Sequence, residues 1–244
     1  MPKTVASVSH LFCSHRCFLS IHLKSLARKT QPETVALFPL SGAVLLPGCD
    51  LPLNVFEPRY LNMVDDALKA DRLIGMVQPQ KGASEKDGFG SLYKTGGLGR
   101  IMQFAETEDG RYMIVLKGLR RFTILGHKET STPYALANVG YEDYPDDENI
   151  HDLPDTPEAF GDPNARSALT MAMKAYAKTL GVELDWDALK DIRLKQLVDQ
   201  AAMISPFDPE DKQSLLEAHS HEERRRLLIG LMHLYSGRGD ATVQ

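Results

Sequence analysis

The hydrophobic period of this chain changes once, and the change falls across an acidic stretch. From Val35 to Tyr144 the apolar residues come in short runs punctuated by proline and glycine: VALFPL, AVLLPG, LPLNVF, IGMVQP, GLGRIMQFAE, RYMIVLKGL, RRFTILGHKE and YALANVGYEDY. Runs of this length bounded by turn residues read as strands. Glu108-Asp109-Gly110 joins two of them as a hairpin, because Asp-Gly supplies the positive φ angles that a tight turn demands. After Asp162 the apolar spacing is helical. Between the two regions lie Glu142, Asp143, Asp146, Asp147, Glu148, Asp152, Asp155, Glu158 and Asp162 among several prolines, a composition too charged and stiff to pack a core.

The division predicts an α+β chain: a small, highly curved antiparallel sheet or barrel over residues 35–143, an acidic proline-rich linker over 144–162, a helical bundle over 163–236 and a tail over 237–244. So many strands need their edges closed or covered, which a strongly curved sheet or a barrel provides. Residues 81–91, KGASEKDGFGS, read as a mobile loop. In the bundle, Asp162-Pro163 opens a first helix with Leu169, Met173, Tyr176 and Leu180 on one face. Asp185 caps a second helix bearing the stripe Leu194, Leu197, Val198 and Ala201, and Asp208-Pro209 opens a short third. Ser220-His221-Glu222-Glu223 forms a capping box for a last helix that buries Leu227, Leu231 and Leu234.

The stretch LPLNVFEPRY, residues 51–60, marks a strand-to-helix junction. Proline is excluded from central strands but favoured at the first helical position, so Pro58 starts a helix with Glu57 at the cap. Tyr60, Leu61, Val64, Ala67 and Leu68 then recur at helical spacing, and Phe56 with Leu61 fits a hydrophobic staple that buries Phe56. Glu57 is a poor capping residue. Its charge answers the helix dipole and a nearby cation, either Arg59 or Arg121.

Composition narrows the function classes. The chain has 244 residues, 43% hydrophobic, with a formal net charge of -5, and after its first thirty residues it carries no basic stripe of the kind that phosphate binding requires. Nucleic acid is therefore not the expected partner. No apolar run approaches the roughly 20 residues of a membrane-spanning helix. Cys13, Cys17 and Cys49 are too few for a disulfide framework and fit a reducing compartment, read here as the cytoplasm. Residues 1–34, basic and serine-rich with no acid before Glu33, look like a tail: either a transit peptide or an over-long start, the latter favoured by composition.

In order, ALFPLSGAVLLPGCDLPLNVFEPRYLNMVDDAL, LIGMVQP, GLGRIMQF and DGRYMIVLKGLRRFTIL resemble the N-terminal domain of ATP-dependent Lon proteases, in particular short stand-alone bacterial proteins similar to that domain alone. The resemblance covers residues 35–143 in motif detail. It implies a PUA-like β-barrel followed by a helical bundle, in a region that helps Lon capture unfolded or damaged polypeptide and supports assembly. It does not imply the cleaving part.

Motifs for chemistry are missing. GLRRFTILG and GSLYKTGG do not supply the phosphate-cradling G-x-x-x-x-G-K-[ST] loop. Ser84 with Lys86 lies in the expected mobile loop, where a Ser-Lys pair would not be pre-organised. Cys13, His15 and Cys17 lack a second pair of metal ligands. His219 and His221 read as solvated helix-start residues, and Cys49 as a small packed one. No catalytic residue, metal site or cofactor is expected. The sequence thus favours a non-enzymatic binder of unfolded or extended polypeptide, or an adaptor to a proteolytic machine in protein quality control, with Arg59 and Tyr60 as rim candidates and Phe56, Glu57 and Pro58 as the structural motif behind them. An enzyme with a small-molecule pocket between barrel and bundle is the rival, and an RNA-binding PUA-like protein a third reading.

Overall fold

In the computed structural model of the chain, residues 31–82, 91–149 and 162–240 are described. The Cys13, His15 and Cys17 cluster, most of the expected tail, Ser84 with Lys86, residues 150–161 of the expected linker and residues 241–244 lie outside them.

The first part is a six-stranded sheet with strand order β2-β5-β4-β3-β1-β6. Its strands are β1 Thr34–Pro39, β2 Asp50–Val55, β3 Leu73–Val77, β4 Thr95–Glu106, β5 Tyr112–Lys128 and β6 Ala135–Gly140, with helix α1 Pro58–Lys69 between β2 and β3. The hairpin expected at Asp109-Gly110 joins β4 to β5, with Gly110 at φ 76. The antiparallel expectation fails at one seam, because β1 pairs parallel to β3. A regular closed barrel does not form either. β5 is long enough to pair with β2 as far as Lys117, with β4 as far as Thr123 and with β6 along its end, so β6 curls the sheet by joining both β1 and β5. The first half of β5 carries the three-stranded extension β2-β5-β4 outward, with β2 left as an edge on β5.

AVLLPG is not a strand. Val44, Leu45 and Leu46 cross as irregular, buried backbone between the sheet and the helices. The crossing is close because β4 and β5 offer glycines there: a Cβ on Gly97 would collide with the Leu45 carbonyl oxygen, and one on Gly118 with that of Leu46. Backbone bonds between Gly48 and Gly118 and between Gly118 and Cys49, both 2.8 Å, fix the contact.

The helical part comprises α2 Ala165–Leu180, α3 Trp186–Lys190, α4 Leu194–Ile204, α5 Pro209–Glu217 and α6 His221–Asp240. α2 starts two residues beyond the expected proline, with Asn164 at its cap. Asp185 caps α3 by accepting from the backbone N–H groups of Asp187 and Ala188. α3 ends after five residues, however, and the stripe expected on the same helix sits on α4. Ser220 accepts from Glu223 N, while the Glu223 carboxylate reaches back to His219 N instead of to Ser220. Two expected core leucines, Leu180 and Leu234, are exposed at 43% and 49%.

Two apolar cores result. One lies inside the curled sheet, with Val35, Leu37, Val77, Leu98, Leu119, Phe122, Ala137 and Tyr141. The larger runs without a break from Phe38, Leu45, Met63 and Ile114 to Leu169, Val198, Leu215 and Leu228, so the sheet and the helices share it.

Candidate functional site

The LPLNVFEPRY junction builds the transition from β2 to α1. Pro52 is tolerated in β2 because the strand is an edge. Glu57 adopts an extended conformation at the cap without a side-chain capping bond, and its carbonyl accepts from Tyr60 and Leu61 N–H groups. Of the two cations offered to Glu57, Arg59 is the partner: its Nε and Nη2 stand 2.9 and 2.8 Å from one carboxylate oxygen. Arg121 is engaged elsewhere.

Two expectations at this junction are corrected. Phe56 is 61% exposed and so does not act as a buried staple. Tyr60 is 6% exposed, its ring 4.5 Å from that of Phe38 and beneath the Arg59 guanidinium at 4.7 Å. It belongs to the core, and the side chain left at the surface is Phe56. The turn that Pro58 imposes points Tyr60 inward with Met63, Val64 and Ala67 and leaves Phe56 behind at the strand end.

Phe56 adjoins the three-stranded extension. Val55, Tyr112 and Glu106 stand opposite one another, as do Leu53, Ile114 and Phe104. This face turns toward α1, where Tyr112 donates to Asp65 at 3.1 Å and Phe104 meets the Tyr112 ring edge-on at 4.9 Å. The hydrogen bond to Asp65, followed by desolvation, holds the Tyr112 phenol above its usual range. On the other face Asn54, Met113 and Ala105 align, followed by Pro52, Val115 and Gln103. Met102 sits in a bulge. β3 pairs with β4 only as far as Arg100, so the outer edge of β4 from Met102 to Glu106 carries no strand among the described residues. On that edge Met102 and Phe104, and on the neighbouring β5 Met113, are each at least 39% exposed, while the exposed Phe56 lies across β5 at the end of β2. An open strand edge flanked by apolar side chains can take up an extended chain through backbone hydrogen bonds and side-chain contact.

Several polar residues that sequence patterns mark as solvated are engaged in the structure, and Asp147 and Asp199 are buried. Asp147, assigned to the linker, forms a two-oxygen pair with Arg121, whose Nη1 also donates to the carbonyls of Leu216 and Ala218. His221 lies 3.2 Å from Asp199, which Arg224 also holds at 2.8 Å. Burial opposes charge on Asp199, but the Arg224 charge and the hydrogen bonds keep its carboxyl below the usual carboxylate range. His219 stacks on Tyr144. The signal available for Arg121 is its position in KGLRRFTIL, a charged pair inside an otherwise apolar strand. Cys49 is buried as expected, and burial raises its thiol far above the usual range, so it is no thiolate nucleophile.

A shallow groove of about 430 Å³, lined by Lys174, Lys178, Leu184 and Trp186 among others, belongs to the helical part alone. It does not lie between sheet and bundle, where the rival enzyme reading places a pocket. Among the described residues no group of three or more His, Cys, Asp or Glu could hold a metal ion, and no helix is long and apolar enough to cross a membrane.

A family model for the ATP-dependent protease La (LON) substrate-binding domain matches residues 34–233. The chain belongs to the Lon substrate-binding domain family. Among curated relatives, Lon protease 2 of Myxococcus xanthus is 31% identical over 120 residues, 49% of this chain and 14% of that protein. Lon protease 2 of Sorangium cellulosum is 27% identical over 207 residues, 82% of this chain and 24% of that protein. The chain therefore spans a minor part of the Lon proteases it matches. The fold agrees with two solved structures. A Lon N-terminal domain protein from Xanthomonas campestris has a TM-score of 0.55 at 23% identity, covering 81% of this chain and 97% of that one. The N-terminal domain of a Mycobacterium avium complex Lon protease has 0.56 at 17%, covering 82% and 98%.

Proposed function

We propose that this Lon-family chain binds unfolded or extended polypeptide along the outer edge of β4 without cleaving it, as a client-binding module or an adaptor to a proteolytic machine in cytoplasmic quality control. The observation that carries the reading is the open edge from Met102 to Glu106, flanked by exposed Met102 and Phe104 and by Met113 on the adjoining β5. Such an edge is an aggregation hazard that folded proteins normally blunt with charge or cover. Its retention with apolar flanks fits a surface kept for another chain. Backbone pairing gives affinity without sequence preference, and the side chains add a loose choice of apolar clients. Arg59, held by Glu57 beside Phe56, lies at the β2 end of the same three-stranded extension, across β5 from this edge.

The test is a titration of the purified chain with a labelled, permanently unfolded polypeptide, followed by anisotropy and fragment size with ATP present and absent. Saturable binding that ignores ATP and leaves the client intact is expected. Met102→Lys with Phe104→Lys should weaken it at least about tenfold while the fold is kept, a loss of about 1.4 kcal/mol. Cleavage by the purified chain, or affinity unchanged in the double variant, would overturn the reading.

A further inference from the structure

Arg120 and Arg121 are neighbours on β5 and point to opposite faces of the sheet. Every need of Arg121 is met by Asp147, Leu216 and Ala218. Arg120 faces the interior of the curled sheet. It stands opposite Leu98 on β4 and two residues from Phe122, whose ring fills the space left where Gly75 and Gly96 lack a Cβ. The side chain is 3% exposed, yet its Nε and Nη1 have no hydrogen-bond partner among the described residues. Its guanidinium carbon instead lies 4.5 Å from the centre of the Tyr141 ring. Tyr141 is itself buried and donates to the Pro32 carbonyl at 3.0 Å. Burial pushes its phenol up to about 12 against the pull of Arg120, so the ring is neutral at physiological pH.

The magnitudes do not balance. An ion taken out of water without a partner costs several kcal/mol, and a desolvated cation–π contact returns about 2. A methionine of similar length would fill the space without that cost. We propose that Arg120, backed by Tyr141, is a binding site for a carboxylate. One guanidinium matches a single negative charge, and the adjacent apolar side chains of Leu98 and Phe122 suit a short apolar tail better than a hydrated phosphate dianion. The site lies on the half of β5 away from the β4 edge, so it stands or falls independently of polypeptide binding there.

The experiment measures thermal stability of the full chain against propionate, with chloride at matched ionic strength and inorganic phosphate as comparisons. The wild-type chain should gain about 2 °C or more, saturably, with propionate and not with the other two anions. Arg120→Met should lose that response while melting at least as high as the wild type without acid, because an unpaired buried charge has been removed. Arg120→Lys should keep a weaker response. It also serves as the folded control if the Met variant is unstable. Peptides ending in an apolar residue, with a free or an amidated C-terminus, distinguish the sources. A response to the free form alone assigns the site to chain ends, whereas a response to propionate without either peptide assigns it to small acids. An equal shift in Arg120→Met, or none in the wild type, overturns the proposal. A lower melting point of Arg120→Met with no acid response in any chain would make Arg120 a structural stacking residue.

Discussion

At the level of single residues, the junction separates two aromatics that share a short stretch of sequence. Tyr60 packs on Phe38 in the shared core, whereas Phe56 lies 61% exposed beside the β2 end. Truncating Tyr60 to Ala should therefore cost about 3–5 kcal/mol, the range for large buried aromatics. Phe56→Ala should change stability by less than about 0.5 kcal/mol and, because Phe56 lies across β5 from the β4 edge, leave capture of an unfolded client there unchanged. Denaturant unfolding of the two variants, read beside the anisotropy titration, checks both. A Phe56→Ala chain that is strongly destabilised would restore the staple. The helical spacing after Pro58 was legible because four inward positions repeat in register, but Phe56 was not, since a staple and an exposed strand end are written with the same letters.

Among the elements, the crossing of Val44–Leu46 over β4 and β5 sets how closely the helices approach the sheet. Gly97 and Gly118 are required there by the absence of room for a Cβ, since the colliding atoms are backbone carbonyls that cannot rotate away. Gly97→Ala should accordingly destabilise by about 1–3 kcal/mol or more, whereas Gly126→Ala, on the same strand as Gly118 with open space around its Cβ position, should be near neutral. Melting temperatures of the two variants decide it, and equal effects would show that the crossing yields. AVLLPG carries the apolar letters of a strand. Its burial comes from elements on both sides, so no ladder partner is needed and local pattern alone misassigns it.

For the molecule as a whole, the acidic stretch suggested two separable parts, while the larger core passes through both. Gln78 of the sheet bonds to Pro209 and Gln213 of α5, Gln213 returns to the Thr95 carbonyl, and Arg121 caps the carbonyls at the end of α5. A fragment of residues 31–149 would expose the helix-facing side of Leu45, Met63 and Ile114 and strand Arg121 short of two acceptors. It should therefore lack cooperative unfolding, whereas the full chain should unfold in a single transition. Circular dichroism during thermal unfolding of both chains provides the check, and an independently cooperative fragment would show that the shared core is dispensable.

The sequence by itself determined the order of strand and helix regions, the Asp-Gly hairpin, the Pro58 helix start, the Asp185 cap and the family. Each of these rests on local chemistry: turn dihedrals, ring constraint, capping donors or motif order. Only the tertiary structure decided the parallel β1–β3 seam, the open β4 edge, the burial of Asp147, the pairing of His221 with Asp199 and the lack of a hydrogen-bond partner for Arg120 Nε and Nη1 among the described residues. Those depend on which distant groups meet. A carboxylate in an acidic linker and one paired inside a core are identical in sequence, and the difference arises only when Arg121, more than twenty residues earlier, is placed against it.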